Sequence, residues 1–340
     1  MRNINFTVAI CTYNGAKRLP KVLDHLKAQI QTEQLNWEIV IVDNNSTDDT
    51  AKLIRSYQNS WSSPCPLRYS FEPQQGLAFA RQRAIQEAGG EFVVFLDDDN
   101  FPAPDWLAQA YSFGQTHPQA GAFGGQIHGD FEVEPPREIK TVVNYYLAIV
   151  ERGSKPCQYK KGGVLPPGAG LVVRKQAWVE NVPEQIFLTG RVGQSLMASE
   201  DLEVQSYIQQ GGWEIWYNPE MHMDHQISRH RLTRDYLIKI VRGNGLARHH
   251  IRMIRLKTWQ RPLAFPAYTV KDLGEFVVQS IKHRNVLDTN IEAACKLEHL
   301  KATLMSPFFI SKKYISEAMG RLNNSQKSKS GSSQNAISSY

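Results

Sequence analysis

The sequence predicts an α/β domain with a mostly parallel central sheet and helices on both faces, followed by a helical C-terminal extension. Three observations carry this. Short apolar runs alternate with segments of helical period over roughly the first 100 residues. The runs are too short for helices and are bounded by polar turn residues. Beyond residue 233 the strand-like runs stop and only helical spacing remains. Strands alternating with helices imply parallel pairing, because each crossover returns the chain to the same edge.

The elements follow in order. NFTVAICTY reads as a buried strand, and Leu19, Val22, Leu23, Leu26 and Ile30 follow at helical spacing. WEIVIVD is the second strand, and NNSTDDT offers N-caps for a helix through AKLIRSY. LRYSFE is the third strand, GLAFARQRAIQEAGG a helix closed by glycines, and EFVVFL the fourth strand. AGAFGGQI reads as a strand broken by glycines. Ile139, Val142, Val143, Tyr146, Leu147 and Val150 form a helical stripe, and GGVLPPGAGLVVRK is a loop feeding a strand. SEDLEVQSYIQQGG is a helix with Ser199 as N-cap and Gly211 or Gly212 as its stop. WEIWYNP is a further strand, with His222 and His225 expected just after it. These elements place the α/β domain at 1–232 and the helical extension at 233–320. The polar, serine-rich tail at 321–340 is expected to be disordered.

Composition narrows the function classes. Hydrophobic content of 41% and charged content of 21% are those of an ordinary globular chain. Cys11, Cys65, Cys157 and Cys295 are scattered, with no CxxC or Cys/His cluster, which speaks against a disulfide framework or a zinc site and for a reducing cytosol. No apolar run reaches the length of a membrane span, and FTVAIC is too short for a signal peptide. The net charge is +6, with ten Lys/Arg against one acid between Arg229 and Arg261. Such a segment suits an anionic membrane, nucleic acid or a phosphorylated substrate, and equally a solvated face. GxGxxG and GxxxxGK[ST] are absent, so a typical Rossmann dehydrogenase or P-loop ATPase is not expected.

Four clusters carry chemistry. In EFVVFLDDDN, Asp97 and Asp99 share one side of an extended segment at a strand's carboxyl end, the edge where open α/β sheets bind ligands. Paired carboxylates suit Mg²⁺ or Mn²⁺ shared with a substrate's phosphates; they also suit a solvated turn. Thr12, Tyr13, Asn14 and Asp43 end two neighbouring strands on the same edge. Asp43 can accept from a ribose hydroxyl or a pyrimidine imide, or cap its own turn. Glu200 and Asp201 open a helix, where the dipole keeps a carboxylate ionised, as a base requires, but also simply stabilises the helix. His222 and His225 flank Asp224, and a histidine there can complete a carboxylate metal site or steady a diphosphate.

AICTYNG, IVIVDNNSTDDT, QQGLAFARQRA, FVVFLDDDN, PPGAGLVVRK, SEDLE and HQISRHRLT occur in this order from residue 5 to about 233. Together they resemble family 2 inverting glycosyltransferases of the GT-A fold, and among them bacterial exopolysaccharide enzymes such as the hormogonium polysaccharide group. The resemblance implies Asp201 as general base and Asp99 and His225 as metal ligands for Mn²⁺ or Mg²⁺. It implies Thr12, Tyr13, Asn14, Asp43, Gly76, Arg81, Asp97, Asp98, Gly170, Glu200 and Arg231 as nucleotide-sugar contacts. Gly168 and Gly170 match the loop and strand under donor sugar and acceptor. The implied partners are a nucleotide-sugar donor, with UDP as the nucleotide, and a glycan or lipid-linked acceptor. The implied place is the cytoplasm with peripheral contact at the inner membrane face; nucleic acid is not expected. Asn44 stands where many members have aspartate, and Gln82 where asparagine is usual. The QxxRW motif of processive synthases is absent. Two other readings remain: a sugar nucleotidyltransferase, for which TYNGAKRL is poor in glycine, and a non-catalytic protein that docks through its basic helix.

Overall fold

The computed structural model describes residues 4–190 and 199–335. The aliphatic runs form β1 (Phe6–Thr12), β2 (Trp37–Asp43), β3 (Leu67–Phe71) and β4 (Phe92–Leu96), paired in parallel in the order β3-β2-β1-β4. They are joined by α1 (Leu19–Lys27), α2 (Thr50–Ser60) and α3 (Leu77–Glu87). The runs are continuously apolar because both sheet faces are covered. Phe6, Val8 and Ile10 point toward Leu19, Val22, Leu23 and Leu26 of α1, while Ala9, Val40 and Val93 point to the other face, against Ala80, Ala84 and Ile85 of α3. The α1 stripe ends earlier than its spacing suggests. The helix stops at Lys27, and Ile30 is half exposed, its N–H held by the Pro104 carbonyl.

The second half adds β5 (Asn100–Pro102), α4 (Trp106–Thr116), β6 (Ala120–Phe131), α5 (Lys140–Tyr146), β7 (Cys157–Gln158), β8 (Leu171–Arg174), α6 (Lys175–Asn181), α7 (Glu200–Gln210) and β9 (Glu214–Ile227). The sheet continues from β4 as β8-β6-β9-β5, with β7 also on β9. β8 is antiparallel to β4 and β6, so the parallel half gives way to a mixed one. β6 and β9 outrun their sequence expectation. β9 passes through Pro219 because the register jumps there: Gly124 pairs with Tyr217 and Gln126 with His222. The missing N–H of Pro219 thus falls in a bulge, outside the ladder. His222 and His225 therefore lie within a strand, not after one. Antiparallel pairing of β5 with β9 sets Asn100 opposite His225.

The C-terminal helices are α8 (Arg234–Ile254), α9 (Arg261–His283) and α10 (Ile291–Asn335). Leu237, Ile240 and Val241 of α8 share a core with Val142 and Val143 of α5 and Cys295 of α10. The extension is thus built onto the α/β domain. α10 runs as helix to Asn335, through most of the segment expected to lack structure. Extending an existing helix avoids the nucleation cost, so a polar sequence without a packing stripe can follow it. Residues 336–340 of that tail lie outside the described residues. Among the described residues no helix is long and apolar enough to cross a membrane.

Candidate active site

The carboxyl ends of β1, β2 and β4 meet in one place, because these strands are parallel neighbours. Thr12 is in register with Asp43, and both are buried. Asp43 accepts from the Ser46 N–H at 2.9 Å and from the Tyr69 hydroxyl at 3.1 Å. Asn14, with φ of 52°, takes the Thr47 N–H on its carbonyl oxygen and ties the two loops together. Tyr13 projects outward and is about half exposed. Asn44 donates to the Gln74 carbonyl at 2.7 Å and accepts from the Gly76 N–H at 2.8 Å. An aspartate could not donate, which explains the amide at this position. Gly76 has φ of 139°, and a Cβ there would meet the Thr189 carbonyl. Gln82 likewise has a local use: it accepts from the Trp178 indole at 3.0 Å.

The three aspartates have three different surroundings. Asp98 is held by Arg18 through two guanidinium nitrogens, at 2.7 and 2.9 Å, and by the Thr12 hydroxyl at 2.5 Å. Its charge is balanced inside the protein, and it braces the β1–α1 loop. Arg18 and Gly15 are site residues that sequence reasoning passed over. A Cβ on Gly15 would lie 2.0 Å from the Thr12 hydroxyl and 2.7 Å from the Asp98 carboxylate. The glycine of TYNG was the available signal. Asn100, fully buried, accepts from the Asp97 N–H and donates to Asp99, so the amide that ends DDDN fixes both acids.

Asp99 receives Arg231 Nη1 at 3.1 Å, and His225 Nε2 lies 3.6 Å from the same oxygen. Burial pulls its pKa up, but His225, Arg231 and Arg18 outweigh this and hold it below the usual carboxylate value. Arg231 Nη1 also lies 3.0 Å from His225 Nε2. A cationic group therefore sits between an oxygen donor and an imidazole nitrogen. The set suits a divalent ion: hard oxygen with one imidazole, and room for phosphates to supply the rest. Among the described residues no three His, Cys, Asp or Glu side chains gather as a complete metal cage. The second ring nitrogen of His225 has no hydrogen-bond partner among them.

Asp97 is the opposite case. Burial, reinforced by the negative charge of Asp99, pushes its pKa above the ordinary 3.8, although Arg81 works against this. Ionised Asp97 therefore costs the folded state. The cost is absent below about pH 3.8, where folded and unfolded forms are both protonated, and is complete above the raised folded value. Asp99, with its lowered value, stabilises the fold above 3.8 and loses that contribution as pH falls through its folded value. We expect Asp97→Asn to melt higher than the unmodified chain at pH 7, with the gap closing toward pH 4. A melting series over this range checks the sign; a gap that widens on acidification would refute it.

Arg81 links these acids to the start of α7. It is buried, with Nη1 3.2 Å from Glu200 and Nη2 3.8 Å from Asp97, and its guanidinium lies over the Phe95 ring. Its Nε has no partner among the described residues. Gly168 packs against the same guanidinium, where a Cβ would come within 2.6 Å. The Gly168 N–H donates to Asp201 at 2.7 Å, and the other Asp201 oxygen takes the Leu202 N–H at 2.8 Å. Gly170, with φ of 64°, donates to the Phe95 carbonyl and starts β8. Ser199 precedes α7 as expected, but with φ of 87° it does not cap it; its hydroxyl bonds Asn244 of α8. The sequence-predicted residues thus form one connected site, apart from Tyr13, which contributes its carbonyl to Arg18.

The family model for glycosyl transferase family 2 matches residues 7–176. That is half of the chain and includes β1 to β8. The chain belongs to glycosyl transferase family 2. This family 2 chain is 32% identical over 116 residues to a poly(ribitol-phosphate) β-N-acetylglucosaminyltransferase, TarS, of Staphylococcus aureus; the match covers 34% of the chain and 19% of TarS. It is 24% identical over 138 residues to the succinoglycan biosynthesis protein ExoM of Rhizobium meliloti, covering 41% of the chain and 43% of ExoM. The matched segments span less than half of either relative. The mannosyltransferase PcManGT of Pyrobaculum calidifontis, solved with GDP-Man and Mn²⁺, superposes with a TM-score of 0.56 at 19% identity, over 89% of this chain and 86% of that one. The fold is that of the GT-A glycosyltransferases.

Proposed function

We propose that the chain transfers a sugar from a nucleotide-sugar donor, a UDP-sugar by preference, to a hydroxyl of a glycan or lipid-linked acceptor in exopolysaccharide synthesis. The observation that carries this is the chain of contacts from Asp97 through Arg81 to Glu200, with Asp201 next to it on Gly168. It places a candidate base and a candidate donor site on one buried support. Family membership and the donors named for TarS and PcManGT structures, UDP-GlcNAc and GDP-Man, support the same reading.

In this reading Thr12, Tyr13, Asn14 and Asp43 border the pocket for base and ribose. Gly76, Gly168 and Gly170 let backbone approach the donor. Asp201 has lone pairs left over after its two backbone contacts, and takes the proton of the acceptor hydroxyl as that oxygen attacks the anomeric carbon. The bond to the nucleoside diphosphate breaks on the opposite face, so one displacement inverts the configuration. Asp99 and His225 would hold Mn²⁺ or Mg²⁺, and a divalent ion bound there supplies positive charge against the leaving diphosphate. Arg231 adds a second cation on that side. Asp98 acts through Thr12 and Arg18, as a positioning residue.

A thermal-shift panel of UDP-, GDP- and dTDP-sugars, with and without Mn²⁺, tests donor choice. A donor at 100 times its Kd adds about 2.7 kcal/mol of stability. Nucleoside diphosphate release with an acceptor panel tests transfer. Stabilisation by no nucleotide sugar, with no diphosphate released, rules the reading out.

A further inference from the structure

α9 is amphipathic in the reverse sense to a helix on a water-soluble core. Its inner face carries Phe265, Tyr268, Thr269 and Asp272, spaced for one side of a helix, and these line a small cavity against α8 and α10. Asp272 is the buried residue of that face, and it pairs with Arg252 of α8. The other side presents Leu263, Pro266, Val270, Leu273, Val277 and Ile281, recurring every three or four residues. Leu263 is 70% exposed, Val270 72% and Ile281 65%. Trp259, just ahead of the helix, is 68% exposed. A helix packed in water turns its aliphatic stripe inward and its ion pairs outward. Here the ion pair is inside and the stripe is outside. Over the 23 residues of α9 the stripe is about 34 Å long, at 1.5 Å per residue.

Charge indicates what covers it. From Arg255 to Arg284 there are six Lys/Arg and two acids, and one of those acids is Asp272, already paired with Arg252. The rim of the stripe is therefore cationic. The basic segment from Arg229 to Arg261 is not itself the free face its composition suggests. Arg231 is bound to Asp99, Arg234 to the carbonyls of Leu287 and Asp288, and Arg242 to Glu298. We propose that α9 lies in the plane of a membrane surface containing anionic phospholipid, with the Leu263–Ile281 stripe in the acyl boundary and the flanking cations on the headgroups. A second copy of the chain would set one cationic rim against another. This proposal does not depend on the transfer reading.

The test is flotation of the full chain with phosphatidylcholine vesicles, with and without phosphatidylglycerol. Binding should be at least tenfold greater on the anionic vesicles at low salt. The triple variant L263E/V270E/I281E should lose at least tenfold of it at unchanged melting temperature, since all three side chains face solvent. If that variant fails to fold, V270S/I281S serves in its place. Quenching of tryptophan fluorescence by brominated lipid should shrink in Trp259→Phe. Three outcomes overturn the proposal: no flotation on anionic vesicles at low salt, undiminished flotation of the folded stripe variant, or a wild-type dimer in light scattering that the variant turns into a monomer. The last would make the stripe a contact between copies.

Discussion

Asp201→Asn is expected to slow sugar transfer at least about 10²-fold while leaving donor affinity within a few-fold, because general-base catalysis contributes about 10²- to 10⁴-fold and the amide cannot take a proton. The geometry bounds the structural cost. Each carboxylate oxygen now accepts one backbone N–H, from Gly168 and from Leu202. Asparagine offers one acceptor oxygen and keeps one of these bonds, a loss of about 1 kcal/mol that the fold tolerates. Donor affinity should hold because Asp43, Asp97 and Asp99 border the nucleotide side and are untouched. Glu200→Gln is a different experiment from the one the adjacent acids suggest. Glu200 is buried against Arg81, so its change should appear first as lost stability. The measurement is transfer rate with a competent acceptor beside UDP binding by calorimetry. Near-normal transfer by the folded Asp201→Asn variant would remove Asp201 as the base.

Arg81→Met should be the most disruptive single change to the site. The guanidinium is 4% exposed and stands between Glu200 and Asp97. Burial alone would lower its pKa, but Glu200, Asp97 and Asp201 more than compensate and raise it, so it stays charged. Removing one partner of a buried ion pair typically costs about 3–5 kcal/mol, because the remaining charge is left unpaired. The loss should spread to both halves of the site: Asp97 loses its nearest cation and Gly168 its packing partner. Pairing the change with Glu200→Gln should recover part of the stability, since the stranded carboxylate is gone. A double-mutant cycle read by chemical denaturation measures this coupling. A coupling energy near zero would mean that Arg81 and Glu200 are neighbours without mutual dependence.

The parallel half of the fold was legible because its strands are buried on both faces and its helices carry clear stripes, as with Leu19, Val22, Leu23 and Leu26. Reading failed where tertiary pairing overrides local signals. Pro219 and the glycines of β6 read as breaks, yet the bulge between Gly124 and Gln126 absorbs the proline and both strands continue. A polar tail reads as disorder, yet α10 carries it on as helix to Asn335. The candidate site divides in the same way. Asp97, Asp99, Asp43, Glu200 and Asp201 stand out as carboxylates at strand ends or a helix start. Gly15, Arg18 and Asn100 do not stand out, because glycine, arginine and asparagine are ordinary loop residues until their distances are known.

The amino-acid sequence by itself determined the parallel sheet, the edge on which the acids gather and the family to which the chain belongs. Period and residue type are local, and the motifs occur in order along the chain. Only the tertiary structure decided which charges neutralise which. Arg18 and Asp98 are 80 residues apart, Arg81 and Glu200 119, and Arg231 and Asp99 132. Coulomb energy depends on separation in space and on local burial, and neither is written in the spacing along a chain. The same holds for α9: its stripe is visible as a pattern in the sequence, but which side faces water was settled by the Arg252–Asp272 pair on its inner face.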